Sequence, residues 1–206
     1  MKGMLFVLSG PSGAGKTTVC RTLQNDYPGL KYIISATSRK PRGYEKNGHD
    51  YFFISNQEFK QKIANGYFLE WAEVHGHLYG TPKNQVIENY QQGHISIMDI
   101  DIQGAMNLKK QFPQAITAFI MPPTWEEMVK RLDKRATESQ NDLQQRMENA
   151  KHELNYLKYY DYLVINSVVN QAVEQLKSII NAEKCKIKNL DLEEALPWVK
   201  KITALE

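Results

Sequence analysis

Apolar residues in this chain fall in short runs, most of them followed by a segment with helical spacing. Residues 4–9, MLFVLS, form a run that stops at a glycine, the mark of a strand buried on both faces of a parallel sheet. A helix is expected from about Lys16, ending before the stop signal Tyr27-Pro28-Gly29, and residues 32–36 read as a second strand. From residue 37 to 93 the texture changes. A polar loop leads to an aromatic-rich run at 51–54, a helix at 57–64 and a strand-like run at 67–74. GHLYG then reads as a turn, with Pro82 in the first turn of a helix reaching about Gln92. The alternation resumes with a strand at 95–100, a helix at 104–111 and a strand at 115–121. Thr124, with Glu127 three positions on, is a capping-box signature for a helix to about Arg135. The polar gap ATESQN precedes a helix from about Leu143, and a strand at 162–166 and a helix at 171–186 close the pattern.

Strands alternating with helices predict an α/β protein, a parallel sheet with helices on both faces, interrupted by a smaller mixed insertion. The expected organisation is a core of residues 1–34, 94–123 and 159–206, an α+β insertion at 35–93 and a helical lid at 124–158. A length of 206 residues suits one main domain carrying such additions.

Composition narrows the class. With 42% hydrophobic and 24% charged residues the chain reads as an ordinary globular protein. No apolar run reaches the ~20 residues of a membrane helix, and the N-terminus runs straight into a glycine loop, so the expectation is a cytoplasmic protein without a membrane partner. Cys20 and Cys185 lie far apart and read as two free thiols. A net charge of +3 without a basic aromatic patch gives no reason to expect nucleic acid. Of 26 lysines and arginines only six are arginine, and five of these fall in two groups, Arg39 with Arg42 and Arg131 with Arg135 and Arg146. The arginine fork suits bidentate contact with phosphate, so the grouping points to two phosphate sites.

Gly10 to Thr17 fits G-x-x-x-x-G-K-[ST] between a strand and a helix. Backbone N–H groups of such a loop cradle phosphates, Lys16 reaches the β and γ phosphates, and the Thr17 hydroxyl ligates magnesium. Asp99, at the end of the 95–100 strand, reads either as the acidic partner of that metal or as a helix cap. A second site lies downstream. Arg39 and Arg42 flank Pro41, and FLEWAEVHGHLYGT sets Glu70 on a strand with Tyr79 and Thr81 after it. A buried carboxylate at Glu70 needs donors. The Watson–Crick edge of guanine supplies two in parallel, whereas adenine leaves one oxygen unpaired, a difference of roughly 1 to 3 kcal/mol.

GPSGAGKTT, the segment S-x-x-x-R-x-x-R, GHDYFF, FLEWAE, LYGT, MDIDIQG and the late VIN together resemble the guanylate kinases, which phosphorylate GMP at the expense of ATP. The resemblance spans residues 4–183, with the motifs in the expected order. It implies a fold of phosphate-loop core, GMP-binding insertion and lid, with ATP and GMP as small-molecule substrates and Mg2+ as cofactor. By that resemblance Ser35, Glu70 and Asp101 read the guanine, with Thr81 taking a hydroxyl position nearby. Arg39, Arg42, Tyr51 and Tyr79 hold the GMP phosphate. Gly10, Pro11, Ser12, Gly13, Ala14, Gly15, Lys16, Thr17 and Thr18 form the ATP site, and Asn166 falls where the family approaches the ATP base. Lys16, Arg42, Arg131, Arg135 and Arg146 are the implied catalytic set, and Thr17 and Asp99 the metal ligands.

The bland readings are also concrete. Tyr51 and Tyr79 fit core aromatics, and Arg131 and Arg135, four apart on one helix, fit ion pairs with Glu127 or Asp133. The chain departs from the family pattern at Gly43-Tyr44 before Glu45, where a small residue and then glycine are more usual, at Ala136 in the lid and at Ser167. The family also contains scaffolds without catalysis, which typically lack a complete phosphate loop, whereas Lys16, Thr17 and the lid arginines are all present here. Residues 184–206 match no site, and packing on the body or against a second copy in a homo-oligomer is equally compatible with them.

Overall fold

The computed structural model describes residues 3–74, 76–133 and 140–190. In chain order the strands and α-helices are β1 (Met4–Ser9), α1 (Lys16–Asp26), β2 (Lys31–Tyr32), β3 (Ala36–Thr37), β4 (Phe52–Phe53) and α2 (Asn56–Ala64). Then come β5 (Phe68–Val74), β6 (His77–Pro82), α3 (Lys83–Gln91), β7 (Ile95–Asp99), α4 (Ile102–Gln111) and β8 (Ile116–Met121). The last are α5 (Trp125–Asp133), α6 (Gln140–Leu154), β9 (Tyr162–Ile165) and α7 (Val169–Lys184).

Every residue of β1 is buried, and alternation along it divides the core in two. Met4, Phe6 and Leu8 face α1 and α7, packing with Val19, Leu23, Val173 and Leu176. Leu5 and Val7 face α3 and α4, packing with Val86, Ala105 and Leu108. The strand is central in a five-stranded parallel sheet of order β2-β7-β1-β8-β9. Chain reversal of that order at β1 leaves the crevice for a ligand at the carboxyl ends of the strands. The Gly10 loop leaves β1 at that edge.

A second sheet, β4-β3-β6-β5, is mixed: β3 runs parallel to β4 and antiparallel to β6, and β5 and β6 form a hairpin. Behind it Phe59 and Phe68 stack at 4.4 Å between centroids, with Ala36 and Leu78. The expected single strand at 32–36 is therefore two strands in two sheets. The chain peels from β7 after Ile33, whose N–H donates to the Ile97 carbonyl, and the Gln85 side chain takes over, bonding both the N–H and the carbonyl of Ile34 at 3.3 Å. An amide side chain, invisible to strand periodicity, thus replaces the ladder where the chain changes sheets.

GHLYG is likewise corrected. Only Gly76 turns, at φ +75°, and His77 onward is β6. Gly80 pairs with Ala36 and Trp71 within the sheet, and a Cβ there would lie 3.0 to 3.1 Å from the Phe68 and Phe59 rings. The expected cap at Thr124 is present, its hydroxyl accepting from the Glu127 N–H at 3.2 Å. Residues 184–190 lie on the body: Lys184 donates to the Tyr27 hydroxyl, and Asn189 to the carbonyl and carboxylate of buried Glu183. Cys20 is buried and Cys185 exposed, both as free thiols. Among the described residues no helix is long and apolar enough to cross a membrane.

Candidate active site

The loop after β1 is held by its own glycines. Gly15 caps α1 at φ +88°, and a Cβ there would stand 2.4 Å from the Asn166 amide nitrogen. Asn166, buried at the end of β9, donates that amide to the Ala14 carbonyl at 2.8 Å, and its own N–H to the Met121 carbonyl at 2.7 Å. The resemblance implies Asn166 near the ATP base; in the structure its amide nitrogen holds the backbone of the loop. The first turn of α1 holds no acidic residue, which leaves its positive end open to an anion. Lys16 donates to the carbonyls of Gly10 at 2.6 Å and Pro11 at 3.2 Å, so it lies folded over the loop that would receive the phosphates.

Thr17 and Asp99 meet across that loop. The Thr17 hydroxyl donates to Asp99 Oδ2 at 2.6 Å, and the Tyr32 hydroxyl donates to Oδ1. Asp99 is thus no helix cap. A hydroxyl and a carboxylate oxygen side by side at a helix N-terminus are a hard donor set that fits magnesium, which takes few protein ligands and completes its shell with phosphate and water. Among the described residues no group of three or more His, Cys, Asp or Glu forms a metal cage. The cap is instead Asp101, whose Oδ1 accepts from the Gly104 N–H at 2.9 Å to start α4.

Glu70 stands opposite Asp101. Thr81, its ladder partner on β6, donates to Glu70 Oε1 at 2.5 Å, while a Cβ on Gly104 would lie 3.0 Å from Oε2. With 6% of its surface exposed, Glu70 is a buried carboxyl. Burial, and then the charge of Asp101, push its pKa up to about 7, against the pull of the Thr81 hydrogen bonds. Ser35, on the crossing between the sheets, is buried, and Thr81 is fully so.

The arginine group has an unexpected partner. Arg39 forms a two-bond fork to Glu45, 2.9 Å on each arm, and the same carboxylate accepts from the Arg42 N–H at 2.7 Å. Glu45 resists the upward pull of burial because these donors hold its pKa below the usual range. The Arg39 guanidinium lies 5.6 Å from the Tyr51 ring, which meets the Tyr79 ring edge-on at 6.0 Å. Arg42 is exposed. Glu45, which follows the departure at Gly43-Tyr44, orders the loop that carries both arginines, a role no spacing rule exposed. The donor and acceptor halves meet at the β7–α4 junction, where Asp99 bonds Thr17 of the phosphate loop and Gly104 lies against Glu70.

On the lid side Arg131 donates from Nε to Glu127 at 2.8 Å, the helix ion pair its spacing allowed. Arg146 is half-buried on α6. Arg135 and Ala136 lie outside the described residues. Glu153 of α6 is half-buried, and burial pushes its pKa up.

A phosphate loop at a sheet edge, with a lysine and an oxygen pair at its mouth and an arginine and carboxyl pocket facing it, defines a P-loop phosphotransferase. The guanylate kinase family model matches residues 2–183. The chain is 48% identical to a guanylate kinase of Caldanaerobacter subterraneus over 93% of both chains, and 47% identical to one of Desulfitobacterium hafniense over 90% of this chain and 93% of that one. It superposes on the crystal structure of guanylate kinase from Anaplasma phagocytophilum with a TM-score of 0.81 at 29% identity, over 96% of this chain and 94% of that one. The chain belongs to the guanylate kinase family and is an ATP:GMP phosphotransferase.

Proposed function

We propose that the cleft works as a two-substrate site in which each group described above has a separate task. The Gly10–Thr18 backbone and Lys16 hold the triphosphate of ATP. Thr17 and Asp99 would hold Mg2+, which supplies neutralisation of charge between the phosphates. Glu70, backed by Thr81, accepts the two parallel donors of guanine, with Ser35 and Asp101 beside it. Arg39, Arg42, Tyr51 and Tyr79 hold the GMP phosphate.

The acceptor phosphate is already ionised near neutral pH, so the transfer needs no strong base. Lys16 exchanges its loop carbonyls for phosphate oxygens, and Arg42, Arg131, Arg135 and Arg146 neutralise the group in transit, in line with the attacking oxygen. Residues 35–93 and 124–158 close over the core of 1–34, 94–123 and 159–206 and exclude water as a competing acceptor. Working in the cytoplasm on ATP and GMP, the enzyme yields ADP and GDP.

The observation that carries this reading is Glu70: a buried carboxyl with one oxygen on Thr81, the other beside Gly104 at the start of α4, and no cation among its hydrogen-bond partners within the described residues. A coupled ADP-release assay with GMP, AMP, UMP and CMP tests it. Turnover with GMP at least a hundredfold above the others is expected, and absence of turnover with GMP at every magnesium concentration would sink the proposal.

A further inference from the structure

Asp99 is held from two directions. Thr17 addresses Oδ2 from the phosphate loop, and Tyr32 addresses Oδ1 from the edge strand β2, where it pairs in register with Ile97 of β7. A carboxylate at a strand end turns freely about its last bond unless something fixes one oxygen. The Tyr32 hydroxyl does that. Its ring is fixed in turn: the Arg21 guanidinium lies over it, 3.9 Å from the centroid, while Arg21 also donates to Gln24 Oε1 at 3.3 Å and to the His49 carbonyl. Such a stacked cation holds an aromatic plane without a covalent restraint. Arg21 is the one arginine outside the two phosphate groups, and Tyr32 carried no signal beyond its place in a strand.

We propose that Tyr32 is a positioning residue for the divalent cation: by anchoring Oδ1 of Asp99 it keeps Oδ2 beside the Thr17 hydroxyl, the oxygen pair that would hold the cation. Arg21 keeps the phenol in place. The inference rests on the reading of Thr17 and Asp99 as cation ligands. Partners that orient a ligating side chain are worth about 10- to 100-fold in metal affinity. Phenylalanine at this position keeps the ring, its stacking and its burial, and removes only the donor.

The test is a titration of Mn2+ into the full-length protein saturated with a non-hydrolysable ATP analogue, with free Mn2+ read by electron paramagnetic resonance. Tyr32→Phe is expected to weaken Mn2+ binding by about 10-fold, with the affinity for the analogue in EDTA and the unfolding temperature unchanged. Asp99→Asn is the control for the underlying reading and should weaken Mn2+ at least as much. If Asp99→Asn leaves Mn2+ affinity intact, the ligand reading fails and this inference falls with it. If Asp99→Asn weakens binding and Tyr32→Phe does not, the positioning role alone is overturned. An equal loss of analogue affinity in EDTA by Tyr32→Phe also overturns it, since that outcome is general damage. Should Tyr32→Phe not fold, Arg21→Lys, which keeps the charge but not the flat fork, is expected to weaken Mn2+ in the same direction; unchanged affinity there contradicts the role.

Discussion

Thr81 Oγ1 donates to Glu70 Oε1 at 2.5 Å across the β5–β6 hairpin, where the two residues are ladder partners. That bond satisfies one oxygen of a buried carboxyl and leaves the second against Gly104 at the start of α4. Replacing Glu70 by Gln turns a pure acceptor into one acceptor and one donor. The kcat/KM for GMP should fall by about 10- to 100-fold, the worth of charge-assisted hydrogen bonds of roughly 1.5–3 kcal/mol. The same variant should narrow the gap between GMP and AMP, measured with both substrates in one ADP-release assay. An unchanged GMP preference contradicts guanine recognition by Glu70.

The raised pKa of Glu70 gives a pH signature with a definite sign. In the unfolded chain the carboxyl ionises near 4.5, in the folded protein near 7. The native state therefore binds the proton more tightly, and the stability this provides is complete below about pH 4.5 and is lost as pH rises through 7. The swing is at most about 3 kcal/mol. Urea midpoints of the native protein and Glu70→Gln, compared at pH 5 and pH 8 without nucleotide, should show the native protein losing ground at pH 8. If guanine is read by the ionised Glu70 as proposed, GMP binding should strengthen over the same interval more steeply than in Glu70→Gln.

Lys16 donates to the loop carbonyls of Gly10 and Pro11, at 2.6 and 3.2 Å, and in the proposed mechanism it exchanges them for phosphate oxygens. Lys16→Met should lower kcat by roughly 10^2- to 10^3-fold, as the removal of one charge-stabilising donor does elsewhere. GMP affinity by calorimetry should stay within about twofold, because the acceptor pocket does not contain this residue.

Gly15 and Asn166 form one device. Gly15→Ala brings a Cβ against the Asn166 amide at 2.4 Å in a left-handed backbone, and Asn166→Ala strips the Ala14 carbonyl of its donor. The second change should cost about 1–3 kcal/mol, the penalty for an unsatisfied buried group. Both should raise KM for ATP while leaving KM for GMP near its original value. Equal changes in both constants contradict a role confined to the donor loop.

Arg131 separates stability from catalysis. Its partly exposed pair with Glu127 stabilises by no more than about 0.5 kcal/mol, so Arg131→Ala should barely move the unfolding temperature. Turnover should nonetheless fall by at least tenfold if the arginine reaches the transferring group, and unchanged turnover removes it from the proposed catalytic set.

Legibility in the sequence followed the range of the interactions. The phosphate loop was legible because strand, glycines, lysine and threonine are consecutive, and backbone sterics at Gly15 act within the loop itself. The centre of the core sheet was legible because β7, β1 and β8 bury both faces and so carry continuous apolar runs. The split of residues 32–36 into β2 and β3 was not, since Gln85, some fifty residues away, ends the first strand. Nor was Gly80 as a strand residue, because what requires glycine is the pair of rings from Phe59 and Phe68.

Chemistry divided the same way. Residue types and order alone pointed to Lys16, Thr17, Asp99, Glu70 and the arginines, since a triphosphate cradle and a guanine acceptor need those side chains. Tertiary structure alone decided what each one touches: Asp101 and not Asp99 caps a helix, Asn166 grips the loop backbone, and Glu45 holds Arg39. It also joined Arg21 and Tyr32 to Asp99. Those partners come from distant segments, and hydrogen-bond geometry is fixed only when the sheets bring them together.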